Sequence, residues 1–310
     1  MENETMENGI VERKRVLVKI GFALFAMVLA VIVVQLILGA LISQVAPGME
    51  NSPWFIGILI GIPFYCVGFP IFLGMMKKVP DGPKGETKKM SLGHLIVMFF
   101  ICMAAVYIFN IVGLAINAII GLIKGANVLN PLMEVLDSSG MIATIIFVGI
   151  LSPIIEEVVF RGVLLNKLRG YGDKTAIWFT ALTFALFHGN LSQFFYAFVL
   201  GLFFGYIAIK TNTIRYTVIL HIVINMLGSV MMPALALSGN DILIGISGLF
   251  IIIMFIVGII LFIVNVKKVK LEAEETEIDP EIRKKLTYWN VGMLLYYAAC
   301  LLLFVFAVIA

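Results

Sequence analysis

Apolar residues in this chain do not alternate with polar ones; they run together in long blocks. Stretches long enough to cross a bilayer, about 20 residues, begin near Val16, Trp54, Leu92, Met141, Thr175, Gln193, Tyr216, Ile242 and Tyr288, the fifth of them short. Such runs predict helices, because a segment in lipid must satisfy its backbone polar groups within itself unless it closes a barrel. The expected fold is all-α: a polytopic transmembrane helix bundle of roughly nine helices, one integral membrane domain over 1–310. Residues 16–123 supply N-terminal spans, 141–235 a central core and 242–310 the C-terminal spans. Residues 267–287, charged and nearly without large apolar side chains, read as a cytoplasmic linker. In it Pro280, after Asp279, is placed to open a short helix. Glycines four apart at Gly57 and Gly61, and at Gly201 and Gly205, predict close helix contacts.

Three charges break the apolar pattern. Glu156, Glu157 and Arg161 lie inside the run from Gly140 to Asn166, and no other of the 19 acidic or 22 basic residues falls within an apolar span. A charge at a helix centre costs about 2.5–3.5 kcal/mol on insertion scales, so intramembrane charges mark function. Glu157 and Arg161 are four apart with the acid first, the favourable order for an ion pair on one helix face. Glu156 points about 100° around the helix from Glu157. The spacing therefore predicts a neutralised pair, Glu157 with Arg161, and one available carboxylate, Glu156.

Composition agrees with the pattern. A 61% share of hydrophobic residues and a mean hydropathy of +1.07 exceed the roughly half-apolar makeup of soluble domains. All basic residues except Lys124 and Arg161 fall on alternate connections. Because cytoplasmic loops collect Lys and Arg, this predicts a cytoplasmic N-terminus, with Lys124 on the outer side. The net charge of +3 comes from those loops and indicates no nucleic-acid partner. The first span exceeds a signal-peptide core and is expected to remain as an anchor. Cys66, Cys102 and Cys300 all lie in spans, which argues against a disulfide framework. The expected location is the cell membrane, as a multi-pass protein with the lipid bilayer as its surroundings.

The remaining polar residues fall in one layer. Of three histidines, His94 opens a span beside a basic loop, where an interfacial position accounts for it. His188 ends the run TAIWFTALTFALFH, and His221 precedes Asn225 by one helical turn. At 1.5 Å per residue, Glu156 lies about 15 Å inward from Lys167, His188 about 20 Å from Lys174 and His221 about 10 Å from Arg215. Three helices thus place polar groups in the middle to cytoplasmic part of the bilayer, where they face one another or a wet cavity.

Four chemistries compete for these groups. Zinc hydrolysis has no HExxH helix here, but Glu156, His188 and His221 remain a possible three-ligand site. An aspartyl protease is suggested by Gly170-Tyr-Gly-Asp173, yet that motif sits in a charged loop and no span holds a partner Asp. A serine protease is suggested by Gly245-Ile-Ser-Gly248, yet no histidine follows His221. The fourth is activation of water by Glu156 and His188, with His221 and the Asn225 amide as donors to the oxyanion. It uses every intramembrane polar group and needs no cofactor.

The segments EEVVFR (Glu156 to Arg161), FALFH (Phe184 to His188) and HIVIN (His221 to Asn225) resemble the EExxxR, FxxxH and HxxxN motifs of the type II CAAX prenyl protease and bacteriocin-processing group, also called the abortive-infection family. All three occur in the family order, and the resemblance covers roughly Met141 to Pro233. It implies that Glu156 and His188 activate the attacking water, that His221 and Asn225 form the oxyanion site and that Glu157 and Arg161 orient the others. It also implies a metal-independent mechanism, despite an older view of these enzymes as metalloproteases. The expected function is an intramembrane endopeptidase acting on a membrane-associated peptide or protein. The alternative is a non-catalytic immunity or scaffold protein using the same polar cavity for binding. A proton-coupled transporter is disfavoured by the lack of an inverted repeat.

Overall fold

The computed structural model describes residues 2–83, 85–128, 130, 140–271 and 278–309; Lys84 and the acidic middle of the expected linker, 272–277, lie outside them. Among the described residues the ordered elements are all helical. They are α1 (Glu2–Val45), α2 (Phe55–Met76), α3 (Leu92–Lys124), α4 (Met141–Tyr171), α5 (Asp173–Phe187), α6 (Leu191–Thr211), α7 (Arg215–Ala236), α8 (Asp241–Lys268), α9 (Pro280–Tyr288) and α10 (Val291–Ile309). Eight are long and apolar enough to cross a membrane, and α5 is the ninth apolar helix. Its 15 residues reach about 22 Å, short of a hydrocarbon core of about 30 Å, so its C-terminal end stops inside the bundle. Helix α9 is the short helix expected at Pro280, capped by Asp279, whose carboxylate accepts from the amides of Glu281 and Ile282.

The helices pack as two apolar clusters. One joins α1, α2, α4, α5, α6 and α10 around Leu17, Phe64, Phe160, Phe184 and Tyr296. The other joins α3, α6, α7 and α8 around Cys102, Phe204, Leu220 and Met254. Helices α1 and α10 cross with almost no gap: a Cβ on Gly292 would stand 2.4 Å from the Val18 carbonyl. Gly201 likewise seats α6 on α5, where a Cβ would meet the Ala181 Cα at 2.7 Å. Gly57 and Gly61 instead receive the Phe147 ring of α4. Helix α8 is largely outward-facing, with Ile246, Leu249, Ile252, Ile256, Ile260 and Ile263 all exposed, as a lipid-facing stripe requires. The three cysteines are free thiols.

Basic residues gather at one end of the bundle. There the Gly82 amide donates to Asn166, Lys88 to Thr211, and Lys167 to the Val79 carbonyl, while Arg169 reaches Asn212. Lys124 lies at the opposite end, donating to the carbonyls of Val308 and Ile309 and so capping α10.

Four stretches of wide turns interrupt the helices: Ile62–Gly68 in α2, Ile145–Leu151 and Val158–Leu164 in α4, and Met226–Met231 in α7. Three end two residues before a proline, namely Pro70, Pro153 and Pro233. A proline ring crowds the carbonyl four residues earlier and supplies no N–H, and a wider preceding turn relieves both problems. The fourth, Val158–Leu164, precedes no proline. It holds Arg161.

Candidate active site

Glu156, Glu157 and Arg161 of α4 sit where the two apolar clusters meet. Arg161 Nη1 donates to Glu157 Oε1 at 2.8 Å, and both side chains are fully buried. The guanidinium lies over the Phe184 ring, 4.3 Å from its centroid, with Phe204 on another side at 5.5 Å. Each ring belongs to a different cluster. Aromatic faces offer a desolvated cation an attraction of about 2 kcal/mol or more, which partly offsets its loss of water. Phe184 also meets His188 and His221 edge-on, with centroids at 4.8 and 5.9 Å. One phenylalanine, the first residue of the FxxxH-like segment, therefore touches three of the polar groups.

His221 enters from α7 and links the two glutamates. Its Nδ1 lies 3.0 Å from Glu157 Oε1 and its Nε2 lies 3.7 Å from Glu156 Oε2. A carboxylate paired to Arg161 only accepts, so the proton on that contact belongs to Nδ1 and the ring is held with Nε2 toward Glu156. The Thr217 hydroxyl, one turn before His221 and beside Glu157, donates to the Ile214 carbonyl at 2.9 Å. Glu156 is less enclosed, with a tenth of its side chain accessible. Its other oxygen, Oε1, accepts from the Ser152 hydroxyl one turn earlier on α4. Tyr65 of α2 stands beside Ser152 and Glu156 and donates to the Phe147 carbonyl at 3.4 Å.

His188 is placed by the turn that joins α5 to α6. Helix α5 ends at His188, Gly189 takes φ +64° and Asn190 caps α6, accepting from the Gln193 amide at 3.0 Å. The Asn190 amide donates back to the His188 carbonyl at 2.8 Å. His188 Nδ1 lies 2.9 Å from the Phe184 carbonyl, an acceptor only, so Nδ1 carries the proton and Nε2 keeps a lone pair. Glu156 is near enough to act on His188 electrostatically, without a direct ion pair between them.

Asn225 has a partner that the wide turn creates. In Ile145–Leu151 the Ser152 amide bonds to the Phe147 carbonyl, so the donor due to the Val148 carbonyl would come from residue 153. That residue is Pro153, which has no N–H. The Asn225 amide supplies the missing bond at 3.0 Å. Asn225 thus ties α7 to α4, with one amide hydrogen left over.

The groups expected for other chemistries lie apart. Asp173 opens α5 at the basic end, and the Ser247 hydroxyl on α8 donates to the Ile244 carbonyl at 2.8 Å. Among the described residues no group of three or more His, Cys, Asp or Glu side chains is placed to hold a metal ion; Nδ1 of His221 faces Glu157 and Nδ1 of His188 faces a carbonyl. His94 is exposed and bonded to Ser91, the cap of α3.

All of the clustered groups but Tyr65 come from α4 to α7. Residues 138–227 match the family model described as Type II CAAX prenyl endopeptidase Rce1-like. The match contains every residue from Ser152 to Asn225 described above, and all three motifs that carried the sequence resemblance. No curated protein and no solved structure matches the chain significantly. At the level of the family, this Rce1-like stretch supports a CAAX-protease-type peptidase embedded in a multi-pass membrane protein.

Proposed function

We propose that the protein is an intramembrane endopeptidase that hydrolyses a peptide bond of a membrane-associated peptide or protein with water activated by Glu156 and His188. The observation that carries this reading is the division of labour between adjacent glutamates. Glu157 is committed to Arg161 and His221, whereas Glu156 is held by one hydroxyl and stays partly accessible. Glu156 and the His188 Nε2 lone pair would each accept a hydrogen bond from one water, turning its oxygen toward the scissile carbonyl, and Glu156 would take one proton as that oxygen attacks. As that carbonyl becomes an oxyanion, the free amide hydrogen of Asn225 and His221 Nε2–H, in the imidazolium form, would donate to it. Glu157 orients His221 through Nδ1, and Arg161 holds Glu157 in place. The proton taken by Glu156 passes to the departing amine as the C–N bond breaks, which returns the carboxylate to its starting state.

The test uses the full chain in lipid nanodiscs with membrane-anchored peptides, and membrane proteomics of cells carrying the wild type or Glu156→Ala. Cleavage that disappears in Glu156→Ala and in His188→Ala, with folding retained, is expected. Undiminished cleavage by Glu156→Ala would sink the assignment, and loss of activity with a strong chelator, together with stoichiometric metal, would replace it with zinc hydrolysis at the same residues. A phenotype that survives Glu156→Gln points instead to the binding role.

A further inference from the structure

Away from the glutamates, two cavities adjoin at the basic end and share Lys284 and Tyr288. The first, about 290 Å³, lies between α1, the start of α5 and α9, and is lined by Arg13, Lys174, Arg283 and Lys284. Arg13, although counted with the loop charges in the sequence, is buried; it sits 4.3 Å over the Tyr171 ring and reaches Thr287 at 3.5 Å. Lys174 and Lys284 are exposed. The second cavity, about 950 Å³, runs from Lys284 and Trp289 along α10 to Ile309, walled by Leu186, Phe194, Leu301 and Val305. Apart from Lys284 its lining is almost wholly apolar.

We propose that this joined cleft binds an anionic phospholipid, with its phosphate between Lys174 and Lys284 and an acyl chain lying in the groove beside α10. Charge and shape agree on that occupant. A basic pocket at a membrane surface attracts anionic headgroups. A groove of drug-ligand size with apolar walls takes a hydrocarbon chain and offers nothing to a polar solute. Tyr288 and Trp289 stand at the junction, where amphipathic rings favour the headgroup level. The groove's inner wall carries Leu186 and Leu191, which flank the His188–Asn190 turn. A bound lipid would therefore brace α10 against the α5–α6 turn. The site is independent of the proposed peptidase reaction.

Delipidated full-length protein, titrated with phosphatidylglycerol or phosphatidylcholine of identical chains and read by native mass spectrometry, tests this. Wild-type protein is expected to prefer phosphatidylglycerol by about tenfold or more. Lys174→Gln with Lys284→Gln should bring its affinity down to that for phosphatidylcholine, and Leu301→Trp, which fills the groove, should weaken both lipids. Lys77→Gln with Lys78→Gln, the same charge change on exposed residues outside the cleft, should change neither. Equal binding of the two lipids by wild type overturns the proposal, as does an equal loss in the Lys77/Lys78 variant. Full competition by glycerol 3-phosphate would also overturn it, by showing a phosphate site that does not use the groove.

Discussion

Glu157 is wholly buried and its Oε1 is shared by Arg161 at 2.8 Å and His221 at 3.0 Å, whereas Glu156, one residue earlier, keeps a tenth of its side chain accessible and meets a hydroxyl and the far edge of the same imidazole. The difference follows from a rotation of about 100° along one helix. That rotation turns Glu157 into the seam between two aromatic walls and leaves Glu156 beside Ser152 and Tyr65. Two identical side chains thereby acquire different chemistry: one charge is consumed in holding a cation and a histidine, and the other is left for a substrate. The lesson is that an EE pair in a membrane helix divides by helix face, not by depth.

The comparison breaks most severely at Arg161. Arg161→Ala strands Glu157 as an uncompensated buried charge, and breaking a buried pair in this way costs about 3–5 kcal/mol; thermal unfolding in detergent should show the loss, and proteolysis should fall with it. Asn225→Ala is expected to lower the proposed cleavage rate about 10²–10³-fold, as removal of an oxyanion donor does. It should also cost about 1–3 kcal/mol of stability because the Val148 carbonyl loses its partner. Ser152→Ala sharpens the comparison from the other side: it removes one hydrogen bond to a charged group, about 1.5–3 kcal/mol. The cleavage rate should fall about tenfold or more, and the unfolding temperature should fall by a few degrees. Phe184→Leu is the mildest, expected to cost about 0.5–2 kcal/mol from the Arg161 stack and readable as a small downward shift of the unfolding transition.

Much of this arrangement is legible in the sequence. Span positions follow from run length, and the Glu157–Arg161 pair follows from a spacing of four. Ser152 lies at the same spacing before Glu156, so the signal for its hydrogen bond was present, although a lone serine in an apolar helix is usually bonded to its own backbone. Other features were hidden for physical reasons. Tyr65 reaches the site from α2, and which face of a span meets which neighbour is set by packing that no single helix encodes. Phe184 stands in the FxxxH-like segment, but neither its place over Arg161 nor that of Phe204 is legible there, because an aromatic side chain does not advertise a cation on its face. His221 and Asn225, one turn apart on α7, were expected to share an oxyanion site. In the structure each is engaged by a different part of α4, His221 by Glu157 and Asn225 by the carbonyl that Pro153 leaves without a donor.

The central claim is that Glu156 works on substrate while Glu157 holds the site together. It is tested most directly by measuring cleavage and thermal unfolding side by side for Glu156→Gln and Glu157→Gln in the same nanodiscs. Glu156→Gln is expected to unfold like wild type and cleave nothing, and Glu157→Gln to unfold several kcal/mol more readily because Arg161 is left unpaired. Wild-type cleavage by Glu156→Gln, or wild-type stability of Glu157→Gln, would contradict it.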